Sequence, residues 1–209
     1  MSDDANRNAL LSALTTEHFV LQTANTATYT EASARSSLYV MALSSSLVAM
    51  GFLAQSPRIL LGFALAVLPA LFLLGVFTVI RLVETSLESM HYLMGIAAIR
   101  AHYRTLGPEA ERLFSAQSGR WPEIRSPAQR LGSVLAFMGT TATMIAVINN
   151  AVAGGFVALL AGRLAPSFET AASIGAGLIA MALLTIAFQA YQRWRFADFD
   201  VAHGRTTDV

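Results

Sequence analysis

The chain has 209 residues, 55% of them apolar and only 13% charged, with a formal net charge of +1 and no cysteine. Its mean hydropathy of +0.53 sits beside a charge content well below the roughly 25% of soluble domains, which excludes an ordinary soluble domain and points to the membrane class. The absence of cysteine excludes a disulfide framework, a thiolate metal site and a cysteine nucleophile.

Residues 1–35 are polar and mixed, with Asp3, Asp4, Arg7, Glu17, Glu31 and Arg35. They contain no charged segment followed by an apolar core, so no cleaved leader is expected. No glycine stands at position 2 and no cysteine near the C-terminus, so no lipid anchor is expected either. This segment lacks Gly and Pro and reads as a cytoplasmic helix running directly into the first apolar tract.

Charge-free tracts of about 20 residues match a hydrocarbon core of about 30 Å. Two lie between Arg35 and Arg81, separated by "QSPR" around Arg58. They predict a first transmembrane hairpin over residues 36–80, with spans 36–55 and 59–80. Reading the hairpin as antiparallel places Arg81 beside Glu31, which predicts an ion pair. It also sets Ser44, Ser45 and Ser46 opposite Pro69, whose ring frees the carbonyl of Leu65. The serines are therefore read either as satisfying that backbone and allowing close packing or as part of a hinge.

After Arg81, the apolar residues Val83, Leu87, Met90, Met94 and Ala97 keep helical spacing up to Gly107-Pro108. The second helix is thus predicted to run for about 48 residues, roughly 72 Å, with the N-terminal segment as its antiparallel partner. "PEAERLFSAQ" predicts a short helix opened by Pro108. "SGRWPEIRSP" is a connecting loop, and Ser126-Pro127 the start of the next helix. Residues 81–130 form a cytoplasmic helical extension and loop. That stretch carries seven arginines against five glutamates, which is no polybasic patch, so no nucleic-acid partner is expected.

A second transmembrane hairpin is predicted over residues 131–192, with spans 131–162 and 170–192, followed by a cytoplasmic tail, 193–209. The first of these tracts is long, which predicts a long or tilted helix; a re-entrant turn at Gly154-Gly155 is the alternative. Ala142, Ala146, Asn150, Gly154, Ala158 and Gly162 form a ridge of small residues interrupted by one amide, a pattern that lets a second helix approach closely. In antiparallel register Asn150 lies opposite Ala182, with Thr185 within a turn as an acceptor. Asn149 points about 100° away, so its amide is expected to need another subunit or water. With Thr143 on the cytoplasmic side, this predicts a polar lumen in an oligomer; structural packing is the plainer reading.

With both termini and the 81–130 connection on one side, that side holds every arginine except Arg58 and Arg163. The bias predicts both termini in the cytoplasm, in the inner membrane. Trp194 between Arg193 and Arg195 suits an interfacial anchor, and Arg35, Arg81, Arg130, Arg193 and Arg195 are expected to meet anionic lipid headgroups. No charged residue falls inside a span, which argues against a proton-coupled pump or voltage sensor.

Metal chemistry has one candidate. Glu84, Glu88 and His91 share a face of the second helix, "ESMH" is a single Glu-x-x-His unit, and His18 lies within a turn of the facing position. A solvated face with ordinary i, i+4 pairs is the plainer reading. No glycine-rich phosphate loop, G-x-S-x-G or H-E-x-x-H stretch is present, so neither an enzyme nor a cofactor is expected.

The segments "TEHFVLQTA", "ARSSLYVMALSSSLVAM", "PRILLGFALAVLPALFLLGVF", "IRLVE" and "MGIAAIRAHY" resemble a group of small uncharacterised four-span bacterial membrane proteins. The resemblance implies a four-span architecture and no activity. In architecture alone, the chain also resembles the predicted pore-forming membrane effectors of bacterial conflict systems. The expected fold class is all-α, a four-span transmembrane protein with long helices extending into the cytoplasm. The leading functional expectation is a homo-oligomeric ion channel gated by those helices. A non-conducting scaffold or signalling protein docking a cytoplasmic partner is the alternative, and a metal-binding membrane enzyme the third.

Overall fold

The computed structural model describes residues 2–114, 140–164 and 170–202. The described residues form five helices and no strand: α1 (Ser2–Leu53), α2 (Pro57–Arg104), α3 (Pro108–Leu113), α4 (Thr141–Leu164) and α5 (Thr170–Ala202). Four of them, α1, α2, α4 and α5, are long and apolar enough to cross a membrane.

α1 is a single helix of 52 residues, although threonine is a weak helix former. The hydroxyls of Thr15, Thr16, Thr23, Thr26 and Thr30 each bond back to a carbonyl one turn earlier, so they are satisfied within the helix. The turn that follows is short, and Ser56 accepts the Leu60 N–H at 2.9 Å, with Pro57 at the first helical position of α2 where its missing N–H costs nothing. α2 continues for 48 residues with Pro69 inside it.

Gly107, with φ 159°, makes the turn into α3, which has Pro108 at its start and Glu109 and Glu111 in its first turn. α3 stops at Leu113, short of the predicted helix end at Gln117. Phe114 is extended and its ring packs 5.3 Å from that of Tyr103, which draws the chain out of the helix. The predicted start of the third span at Ser126-Pro127, the loop before it and residues 131–139 lie outside the described residues.

Thr140 caps α4: its Oγ1 accepts the Thr143 N–H at 3.3 Å and its carbonyl accepts the Met144 N–H at 3.0 Å. α4 thus begins at Thr141 and has 24 residues. It runs unbroken through Gly154-Gly155, so that stretch is helical and not re-entrant. α5, of 33 residues, continues ten residues past the predicted span end at 192.

The chain divides into two compact units, Met1–Ala32 with Glu84–Ala136, and Ser33–Val83 with Phe137–Val209. In the first, α1 and α2 pair in antiparallel fashion. Ser89 Oγ donates to Asn25 Oδ1 at 2.7 Å and lies 3.3 Å from Tyr29 Oη. Leu21 packs on Gly95, where a β-carbon would meet its Cδ1 at 2.9 Å.

The second unit is a four-helix bundle whose outside is apolar and whose inside mixes apolar residues with large polar ones. Its inside holds Tyr39, Asn149 and Gln192, three of the four largest fully buried side chains. Its outside presents Phe52, Phe77, Leu178, Ile179, Leu183 and Ile186, all more than 60% exposed. Water would favour the reverse arrangement, whereas lipid tails favour this one.

Candidate functional site

The polar centre of the bundle is built around α4. Ala142, Thr143, Ile145, Ala146, Asn149, Asn150, Ala153 and Gly154 are buried, a stripe at helical spacing. Each asparagine serves a different neighbour because consecutive residues diverge by about 100°. Asn150 Nδ2 donates to Thr185 Oγ1 of α5 at 3.1 Å, and that hydroxyl donates in turn to Met181 O at 2.8 Å. Asn149 faces the other hairpin. Its Oδ1 accepts from Tyr39 Oη of α1 at 3.2 Å, and its Nδ2 donates to the Phe72 carbonyl of α2 at 3.2 Å.

The expectation that Asn149 must reach another subunit or water is therefore overturned. Its donor and acceptor both find partners within the chain, on the two helices for which the hairpin register makes no provision. The two amides together join α4 to α1, α2 and α5.

Two further contacts extend the α4–α5 seam. Thr143 Oγ1 donates to Gln192 Oε1 at 3.3 Å. Gly154 lies against Gly177 so closely that a β-carbon on Gly154 would meet Gly177 O at 2.7 Å and Met181 Cβ at 3.1 Å. All of these pairs fall within a turn of the antiparallel register expected from the sequence. Beside the amides lies a cleft of about 260 Å³, walled by Phe72, Val79, Phe188 and Tyr191 along with Asn149 and Asn150. It is apolar apart from the carboxamides and the Tyr191 hydroxyl, so it offers shape and hydrogen bonding but no acid, base or nucleophile.

The proposed hinge takes a different form. Tyr39 and Leu43 are the inward residues of α1, so Ser44 and Ser45, one and two steps further round, face outward and are exposed. Ser46 Oγ donates to Ala42 O of its own helix at 2.8 Å. Ser44 and Ser45 thus do not turn toward Pro69. Glu31 and Arg81 belong to different compact units, and both are engaged in interactions.

Among the described residues, no group of three His, Asp or Glu side chains is placed to hold a metal ion. Glu84, Glu88, His91 and His18 are therefore not assembled into the expected site. His91 is exposed and its ring packs edge-on to Tyr92. His18 sits in an electropositive setting: burial, reinforced by the Arg100 guanidinium, holds its imidazole below the usual 6.5. A cationic neighbour repels a metal ion as it repels a proton.

At the end of α5, Arg195 pairs with Asp198 at 3.7 Å and lies 5.8 Å from the Trp194 ring centroid. Arg193 is exposed, and Arg130 lies outside the described residues. Sequence reasoning missed Tyr39, Gly75 and Gln192. Only Gln192 carried a signal, as an amide at the edge of an apolar tract.

The chain matches no protein-family model, no curated protein and no solved structure.

Proposed function

We propose that the protein is a multi-pass inner-membrane protein with both termini in the cytoplasm, acting as a non-conducting scaffold whose α1–α2 extension docks a cytoplasmic protein. One observation carries this reading. The amides that suggested a lumen, Asn149 and Asn150, are 2% and 6% exposed and are bonded to Tyr39, Phe72 and Thr185 of the same chain. With both amides hydrogen-bonded internally, α4 needs neither water nor a second copy at these positions. The arginine bias supports the orientation, and the apolar exterior of the bundle supports insertion in lipid. In this reading Arg35, Arg81, Arg130, Arg193 and Arg195 rest at the anionic headgroups.

The second reading is a homo-oligomeric channel gated by the extension. It is favoured by the outward position of Ser44 and Ser45 on α1, since hydroxyls on an otherwise apolar face suit a contact with another copy or a wet surface. A lumen in that assembly would be lined by α1. Electrophysiology on the purified chain in planar bilayers separates the two. The scaffold reading predicts no unitary conductance above protein-free bilayers, and reproducible openings would replace it with the channel.

A further inference from the structure

The cleft of about 260 Å³ beside the α4 amides opens on the outside of the bundle, where Ile80 of α2 and Ala187 of α5, both exposed, line it. Asn150, only 6% exposed, lies on its inner wall. The rings of Phe72, Phe188 and Tyr191 form its sides. An apolar cavity of about 150 Å³ is enough to take up benzene, so this one has room for a ring with a short alkyl chain.

The hydrogen bonds around Asn150 fix which way its carboxamide lies. Thr185 Oγ1 donates its only proton to Met181 O at 2.8 Å, so toward Asn150 it can only accept. The amide nitrogen must therefore face Thr185, at 3.1 Å, and the oxygen turns away from it. That Oδ1 accepts no hydrogen bond among the described residues. Nor is it sealed off by protein: the buried side-chain atoms without a partner among the described residues are His18 Nδ1 and Ser173 Oγ, so Asn150 Oδ1 keeps an open face beside the cleft that its residue lines. The pair that joins α4 to α5 is complete without this oxygen, which leaves it free for a ligand.

We propose that this cleft binds a small lipid-soluble phenol, whose hydroxyl donates to Asn150 Oδ1 and whose ring and alkyl chain lie among the three aromatic side chains. The inference goes beyond the scaffold reading and rests only on its multi-pass part, because the ligand reaches the cleft from the bilayer. An acceptor in hydrocarbon has no water to pair with, and the acyl chains that would otherwise fill such a cleft carry no donor. A ketone, ether or ester offers acceptors alone, so a hydroxyl is the group that the site reads. The aromatic walls favour a ring, which packs on them offset or edge-on. Asn149 is already committed elsewhere: its Oδ1 accepts from Tyr39 and its Nδ2 donates to Phe72 O.

The test is equilibrium dialysis of the full chain in nanodiscs against 4-butylphenol or 4-butylanisole, which share a body and differ in the O–H. Empty nanodiscs give the partition into lipid alone, and each affinity is referred to the compound's concentration in the lipid. One equivalent of the phenol should bind above that baseline, about three- to tenfold more tightly than the ether, the range of one hydrogen bond within a membrane. Asn150→Leu should erase the difference between the two compounds. Ala187→Phe should remove the bound phenol by filling the cleft from its exposed wall, whereas Ala182→Phe, exposed but outside the cleft, should leave binding intact. Equal binding of phenol and ether, a preference that survives in Asn150→Leu, or an equal loss in Ala182→Phe and Ala187→Phe would overturn the site. No binding above empty nanodiscs would overturn it too, and leave the cleft to acyl chains. Release of the chain from membranes by alkaline carbonate would instead sink the multi-pass reading, so the two failures are distinct.

Discussion

Gly75 of α2 and Asn149 of α4 share one space: a β-carbon on Gly75 would fall on the Asn149 carboxamide. The missing side chain lets the amide lie on the α2 backbone and donate to Phe72 O while Tyr39 donates to its oxygen. Gly75→Ala should therefore destabilise the bundle by about 1–3 kcal/mol, the cost of overpacking. Tyr39→Phe, which removes one donor and little volume, should cost about 0.6 kcal/mol. Thermal melts in detergent measure both, and equal losses would place the energy in the hydrogen bond and not in the space.

The second amide allows a cleaner measurement. Asn150 and Thr185 form one pair on facing helices, so Asn150→Leu, Thr185→Val and the double variant close a thermodynamic cycle. A coupling of about 0.6–1.7 kcal/mol is expected. Strict additivity would mean that the pair contributes nothing and that the helices are held by packing alone.

Glycines on α4 should divide by what faces them. Gly154→Ala drives a methyl into the backbone of Gly177 and should separate α4 from α5, lowering the melting temperature. Gly155→Ala meets open space and should raise stability by about 0.5–1 kcal/mol through helix propensity. Two neighbouring substitutions of the same kind thus have opposite signs.

Asn150–Thr185 was legible in the sequence because a short turn fixes the register of an antiparallel hairpin, and residues so paired can be counted from the turn. The partners of Asn149 were not legible. They lie on the other hairpin, and no loop length sets how two hairpins pack against each other. Gly75 looks like any glycine in an apolar tract until the amide that fills its place is seen. The four apolar helices and the unbroken run of α2 from Pro57 to Arg104 followed from charge-free tracts and the absence of breakers. Pro69 alone gave no sign of whether it would bend the helix. The metal candidates failed for a related reason: i, i+4, i+7 spacing aligned Glu84, Glu88 and His91 along α2 but said nothing about Arg100 beside His18.

Burial of His18, reinforced by that arginine, makes the α1–α2 extension sensitive to pH. The His18 imidazole is held below 6.5 in the folded chain, so the unfolded chain binds the proton more readily. Stability from this residue is present above about pH 6.5 and is lost as the pH falls through the lower folded value. Protection factors for amide hydrogen exchange along residues 11–28 should fall on acidification. His18→Gln should flatten the response and Arg100→Gln should weaken it. An unchanged pH profile in His18→Gln would assign the acid sensitivity to another group.

The central claim, that the polar face of α4 is closed within a single chain, is tested most directly by cysteine accessibility, because the chain has no cysteine of its own. Thr143→Cys, Ala146→Cys and Ala153→Cys place thiols along the buried stripe, and Ser44→Cys and Ser45→Cys place them on the outward face of α1. The reconstituted variants are treated with a membrane-impermeant methanethiosulfonate reagent from both sides. The account predicts no modification at 143, 146 or 153. Labelling at those three positions would place water along α4 and contradict it.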